Sequence, residues 1–117
     1  MSPRNWQERV RDIVDAIMEI GTFLHGIDFE QFQGDARTVK AVTADLAIIG
    51  EAAGHIPKDV ADANPAIPWA LMKGMRHHLV HGYFHVDLQI VWDTCQNDLP
   101  GLLDPLNEML RNNPLPP

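Results

Sequence analysis

The chain has 117 residues, a hydrophobic fraction of 45% and a formal net charge of −7. That length suits one domain with a single core, and the charge argues against a general nucleic-acid coat protein, whose nonspecific affinity comes from neutralising phosphates. One cysteine, Cys95, excludes an internal disulfide and fits a reducing, cytoplasmic setting.

No apolar run approaches the roughly 20 residues of a membrane span, so no membrane association is expected. Met1 to Trp6 lacks the basic and apolar regions of a signal peptide.

Hydrophobic periodicity predicts an all-α protein. Asn5 and Glu8 have capping-box spacing, and Trp6, Val10, Ile13, Val14, Ile17, Ile20 and Leu24 recur at helical intervals. Gly26 is placed to end this first helix, and Asp28 to Gly34 reads as a loop with a short turn. A second helix is predicted from about Asp35 to Ile56, where Pro57 stops it. Its apolar residues cover almost the whole circumference, so it should be buried on more than one side, a partner subunit being one way to cover the second.

Pro65 and Pro68 delimit the next connection. The third helix should run from about Pro68 to Val80 and end near Gly82. Asp87 can cap a fourth, with Leu88, Val91, Trp92, Cys95, Leu99, Leu102, Leu103 and Leu106 inward and with Pro100 and Pro105 kinking or interrupting it. The expected organisation is one domain over residues 1–111 with a frayed or extended Pro-rich tail over 112–117.

The chemistry gathers at the end of the third helix. Met75-Arg76-His77-His78-Leu79-Val80-His81-Gly82-Tyr83 holds an arginine, three histidines and a tyrosine, and no carboxylate occurs between Asp62 and Asp87. Histidine moves protons near neutral pH, and arginine grips phosphate bidentately. Helix ends also favour cations for purely structural reasons. Spacing separates the two readings. Arg76 and His81 lie about 140° apart on an ideal helix, whereas position 83 returns close to the face of Arg76. One regular helix cannot converge these groups on a small substrate. Either the backbone turns at Gly82 or a two-fold partner supplies a second set.

Arg76, His81 and Tyr83 form an R-x4-H-x-Y motif that resembles that of HEPN-domain ribonuclease toxins of the HepT type. Ile48-Ile49-Gly50-Glu51-Ala52-Ala53, Ile67-Pro68-Trp69, Gly82-Tyr83-Phe84, Val86-Asp87-Leu88 and Val91-Trp92 extend the likeness over nearly the whole domain. His77 departs from it, since many relatives have asparagine after the motif arginine.

The resemblance implies an antiparallel bundle of four to five helices, dimerising through helix faces so that both motifs line one cleft. It also implies metal-independent RNA cleavage without a cofactor. His81 would be acid or base, a role contributing roughly 10²–10⁴-fold. Arg76 would hold the phosphate, and His77 would position Arg76 or the scissile phosphate. Glu51 and His78 are supporting candidates, Glu51 having His55 one turn later. Toxins of this type pair with an MNT-type nucleotidyltransferase antitoxin that adenylylates the motif tyrosine, here Tyr83.

Two rivals stand beside this reading. His77, His81 and His85 have i, i+4, i+8 spacing suited to a metal, although Gly82 interrupts them and no H-E-x-x-H carboxylate is present. A non-catalytic HEPN module that binds nucleotide or a partner is the other. Nucleophilic hydrolysis is disfavoured, because Ser2 is the one serine and Cys95 lies on an apolar stripe, where a thiol is usually inert.

Overall fold

A computed structural model describes residues 4–81 and 87–115, with backbone alone over residues 76–81. The expectations placed on Gly82, Tyr83, Phe84, His85 and Val86 lie outside the described residues.

Every regular element among the described residues is helical: α1 (Trp6–Leu24), α2 (Phe29–Gln33), α3 (Ala36–Gly54), α4 (Lys58–Ala63), α5 (Trp69–His81), α6 (Leu88–Asp93) and α7 (Leu103–Asn112). Thus α1, α3, α5 and the composite α6–α7 segment make the bundle, while α2 and α4 are short connectors. α3 packs against both α1 and α5, and α1 also packs against α7.

Local chemistry explains most boundaries. Asn5 stands at the N-cap of α1, but its side chain makes no capping bond. Glu8 is instead engaged by Arg4 Nε at 3.1 Å, while the same guanidinium grips both oxygens of Asp12. The capping box forms at α2, where the Asp28 carboxylate accepts from Gln31 N at 2.8 Å and Gln31 Oε1 accepts from Asp28 N at 2.9 Å. That reciprocal pair converts the expected loop into a helix.

Gly26 follows the end of α1 with φ of 77°, a conformation that strains residues with a Cβ. Asp35 caps α3 through the amides of Arg37 and Thr38. The Thr38 hydroxyl donates to the same carboxylate and helps hold it below the ordinary carboxylate range.

The expected fourth helix is three pieces. Pro100 has no N–H to continue an α ladder and constrains the residue before it. The chain adopts a π turn over Thr94–Asp98, with Leu99 N donating to Thr94 O at 3.1 Å, and then a 3₁₀ turn over Pro100–Leu102. Pro105 does not interrupt the last helix. It sits in the first turn of α7, where amides lack intrahelical partners anyway.

Val10, Ile13, Phe32, Val42, Ile49, Met72 and Leu106 are fully buried and form the centre of the core. Each contributes about 1.5–3 kcal/mol on leaving water. α3 is apolar all round because two helices of its own chain cover it; Ile48, at 46% exposure, is its one large apolar side chain left open. Intrachain packing therefore supplies the second buried side that a partner subunit was invoked to explain. Gly54 is exposed, with open space where a Cβ would stand, so packing does not require a glycine there.

Candidate active site

α5 is fixed at its start. Trp69 N donates to Ile67 O at 2.9 Å, and Met72 N donates to Pro68 O at 3.1 Å. The indole Nε1–H of Trp69 donates to Asn64 O at 3.1 Å, and Asn64 Nδ2 in turn donates to Val60 O at 2.9 Å. The helix is tied to α4 at this end and packs along α3 through buried Trp69 and Met72. Ile56, just beyond α3, lines the same groove as Trp69, so α3 and α5 meet end to start and run antiparallel.

This packing assigns positions to the motif. Position 76 continues the Trp69–Met72 row, seven residues after Trp69 and four after Met72, on the side of α5 turned toward α3. Positions 77 and 81 follow exposed Lys73 at successive four-residue steps along a different flank. The helix continues through His81. Arg76 and His81 therefore start from backbone sites about 7.5 Å apart along the axis and about 140° apart around it. Gly74 lies one turn before His78, and a Cβ there would meet nothing within 4 Å. Packing does not require this glycine, which leaves the flank ahead of His78 bare at a cost of about 1 kcal/mol in helix propensity.

Glu51 and His55 approach as the sequence suggested. Glu51 Oε1 lies 4.0 Å from His55 Nε2, with both side chains about half exposed at 52% and 53%. The pair sits near the carboxyl end of α3. Asp87 is committed to capping: its Oδ1 accepts from Gln89 N and Ile90 N at 2.9 and 3.2 Å, fixing the start of α6. Trp92 of α6 then packs on Phe32 and Phe29, with ring centroids 5.5 and 6.0 Å away. The chain that follows the 82–86 segment is thereby anchored at the start of α6.

Four acidic residues gather at the α1–α3 interface. On the side of α3 facing α1, Asp12, Asp15, Glu19 and Asp45 line one open cleft of about 370 Å³. Asp45 is buried there, and its Oδ2 finds no hydrogen-bond donor among the described residues. Burial, and then the carboxylate of Glu19, push its pKa up to about 6. The sequence reasoning missed this residue. Its signal was a lone aspartate inside the apolar run of α3, between Ala44 and Leu46. Cys95 is buried as expected, and burial pushes its thiol up to about 12.

The HepT-like ribonuclease description fits residues 13–109, which span α1 to α7 and include the whole motif. The chain belongs to the HepT-like ribonuclease family. It is 42% identical over 99 residues to the probable ribonuclease HepT of Thermococcus cleftensis, covering 85% of this chain and 90% of that protein. A candidate RNase of Methanocaldococcus jannaschii is 33% identical, over 86% of this chain and 84% of its own length. One from Caldanaerobacter subterraneus subsp. tengcongensis is 33% identical over 94% and 96%. No solved structure is significantly similar. The family assignment makes RNA the supported substrate class for this HepT-like protein, and its all-helical bundle agrees with the fold that the motif implied. Among the described residues no helix is long and apolar enough to cross a membrane.

Proposed function

We propose that this HepT-like protein is a metal-independent endoribonuclease, the toxin of a toxin–antitoxin pair, acting at a dimer cleft lined by Arg76 and His81. The observation that carries the reading is the R-x4-H-x-Y spacing of Arg76, His81 and Tyr83 in a carboxylate-free stretch of a HepT-like ribonuclease. A histidine takes the proton of a ribose 2′-hydroxyl, and the oxygen attacks the adjacent phosphorus. The bond from phosphorus to the 5′-oxygen breaks, and a second histidine protonates the leaving oxygen. The products are a 2′,3′-cyclic phosphate and a 5′-hydroxyl, so neither metal nor cofactor is consumed. Arg76 offsets the charge that grows on the phosphoryl oxygens. His77 orients Arg76 or the phosphate, with Glu51 and His78 in support. The divergent backbone positions of residues 76 and 81 support a two-fold arrangement, in which the partner's copy of the histidine completes the acid–base pair.

Control falls to Tyr83. An MNT-type nucleotidyltransferase would join AMP from ATP to its phenolic oxygen and release pyrophosphate. The added negative charge and bulk would exclude RNA from a cationic cleft.

Cleavage of labelled RNA in excess EDTA tests the chemistry. The unmodified protein should cut, and His81→Ala or Arg76→Ala should lose about 10²–10⁴-fold. No cleavage by mass-verified, unmodified protein would favour instead a non-catalytic module that binds nucleotide or partner. Tyr83→Phe should retain cleavage and escape the transferase; adenylylation of the same peptide in that variant would refute the role of Tyr83.

A further inference from the structure

Beside the motif lies a groove that the catalytic reading does not use. It crosses the start of α5 against α4, holds about 740 Å³, and includes Pro65, Pro68, Leu71, Lys58 and Lys73 in its lining. Its wall is mixed. Leu71 is 56% exposed and so presents apolar surface to solvent. The two lysines differ in their commitments. Lys58 Nζ donates to Asp62 at 2.7 Å, whereas Lys73 is exposed and forms no ion pair among the described residues. No acidic residue lies anywhere on α5. Asp62, the one carboxylate in the groove's lining, is paired with Lys58, so Lys73 leaves the groove one cation in excess in a protein of net charge −7 and marks a surface for an anion.

Register connects this surface to the motif. Lys73 precedes His77 by one helical turn, about 6 Å along the axis, and His81 by two. The same flank thus leads from the groove to the motif positions. A single-stranded RNA following it would meet a cation for its backbone, then apolar surface for a base. Sequence-tolerant single-strand binding combines a positive groove for the backbone with side chains against which bases pack, most often aromatic ones; proline and leucine take that place here.

We propose that the α4–α5 groove is a nucleotide subsite for RNA bound at the motif, with Lys73 holding a phosphate and the Pro65–Pro68–Leu71 wall packing against the adjoining base. This rests on the ribonuclease reading of Arg76 and His81. The occupant is RNA rather than a peptide because the surface offers a cation and apolar walls in line with a phosphate-cleaving motif.

The test is binding of a labelled 2′-O-methyl RNA dodecamer, which lacks the attacking hydroxyl, compared with a trinucleotide of the same chemistry. Lys73→Gln should weaken dodecamer binding about fivefold at roughly 0.1 M monovalent salt and reduce the slope of log affinity against log salt by about 0.7. Trinucleotide binding should be unaffected. With cleavable RNA the same variant should raise KM and leave kcat unchanged. Leu71→Asn, an exposed and fold-tolerant change, should weaken the dodecamer alone. Arg11→Gln, which removes an equal charge from exposed α1 surface, should do neither.

A Lys73→Gln protein indistinguishable from Arg11→Gln in affinity, salt slope and KM overturns the subsite. If Arg76→Ala still abolishes cleavage in that case, the ribonuclease reading stands without it. Failure of the unmodified wild-type protein to bind either RNA overturns both.

Discussion

Replacing Asp45 with asparagine should stabilise this protein at neutral pH and change little near pH 4. Asp45 is 4% exposed in the α1–α3 interface, and burial first, then the facing Glu19 carboxylate, raise its pKa from 3.8 to about 6. The folded state therefore binds this proton more tightly than the unfolded chain does. Stability from the group is fully present below about pH 4 and is lost as pH rises to about 6, where the carboxylate must ionise without a donor. Each pKa unit corresponds to about 1.36 kcal/mol, so the penalty at neutral pH has a ceiling of about 3 kcal/mol.

The cleft around Asp45 is open to solvent on one side, so the recoverable part is about 1–3 kcal/mol. An asparagine keeps the shape, removes the charge and offers its amide N–H groups to Glu19. Urea unfolding followed by helical circular dichroism, at about pH 4.5 and about pH 7.5, reads the difference between the two proteins. The variant should gain about 1–3 kcal/mol at the higher pH and show a flatter pH dependence. A variant less stable than wild type at neutral pH, or one with the wild-type pH slope, would refute the placement of an unsatisfied carboxylate at this interface.

Other expectations follow from the cap and the core. Asp87→Ala removes the acceptor for two α6 amides and should cost about 1 kcal/mol, lowering Tm by roughly 4 °C. Asp87→Ser should recover most of that loss, and equal loss in both variants would show that capping is not the cause. Met72→Ala empties a fully buried position where α5 meets α3 and should cost about 2–5 kcal/mol in urea unfolding. Cys95, buried and with its thiol pushed up to about 12, should resist alkylation near pH 8 in the folded protein and react promptly in denaturant. Fast modification of the native state would place it at the surface.

The order and type of the long helices were legible in the sequence because their period-3.6 apolar stripes coincide with the buried residues. Val10 through Leu24 on α1 and Val91, Cys95, Leu99 and Leu106 near the carboxyl end are examples. The short elements were harder to read. Asp28 and Gln31 carry no apolar stripe, and only their reciprocal backbone bonds make α2 a helix. Glu8 had two possible partners, Asn5 and Arg4, and the reach of the guanidinium to both Glu8 and Asp12 settled the competition.

What the sequence determined by itself is the set of chemical groups and their register. The spacing of Arg76, His81 and Tyr83, the absence of carboxylates around them and the likeness to HepT-type ribonucleases are properties of the linear chain. Tertiary structure decided which side of each helix had neighbours. It set position 76 in the row that packs on α3 and positions 77 and 81 on the flank of Lys73. It also left Asp45 facing Glu19 across the α1–α3 interface, and it assigned the second apolar side of α3 to α5. The physical reason is that periodicity fixes angles within one helix, whereas burial, desolvation and charge pairing depend on what a second helix brings against that face.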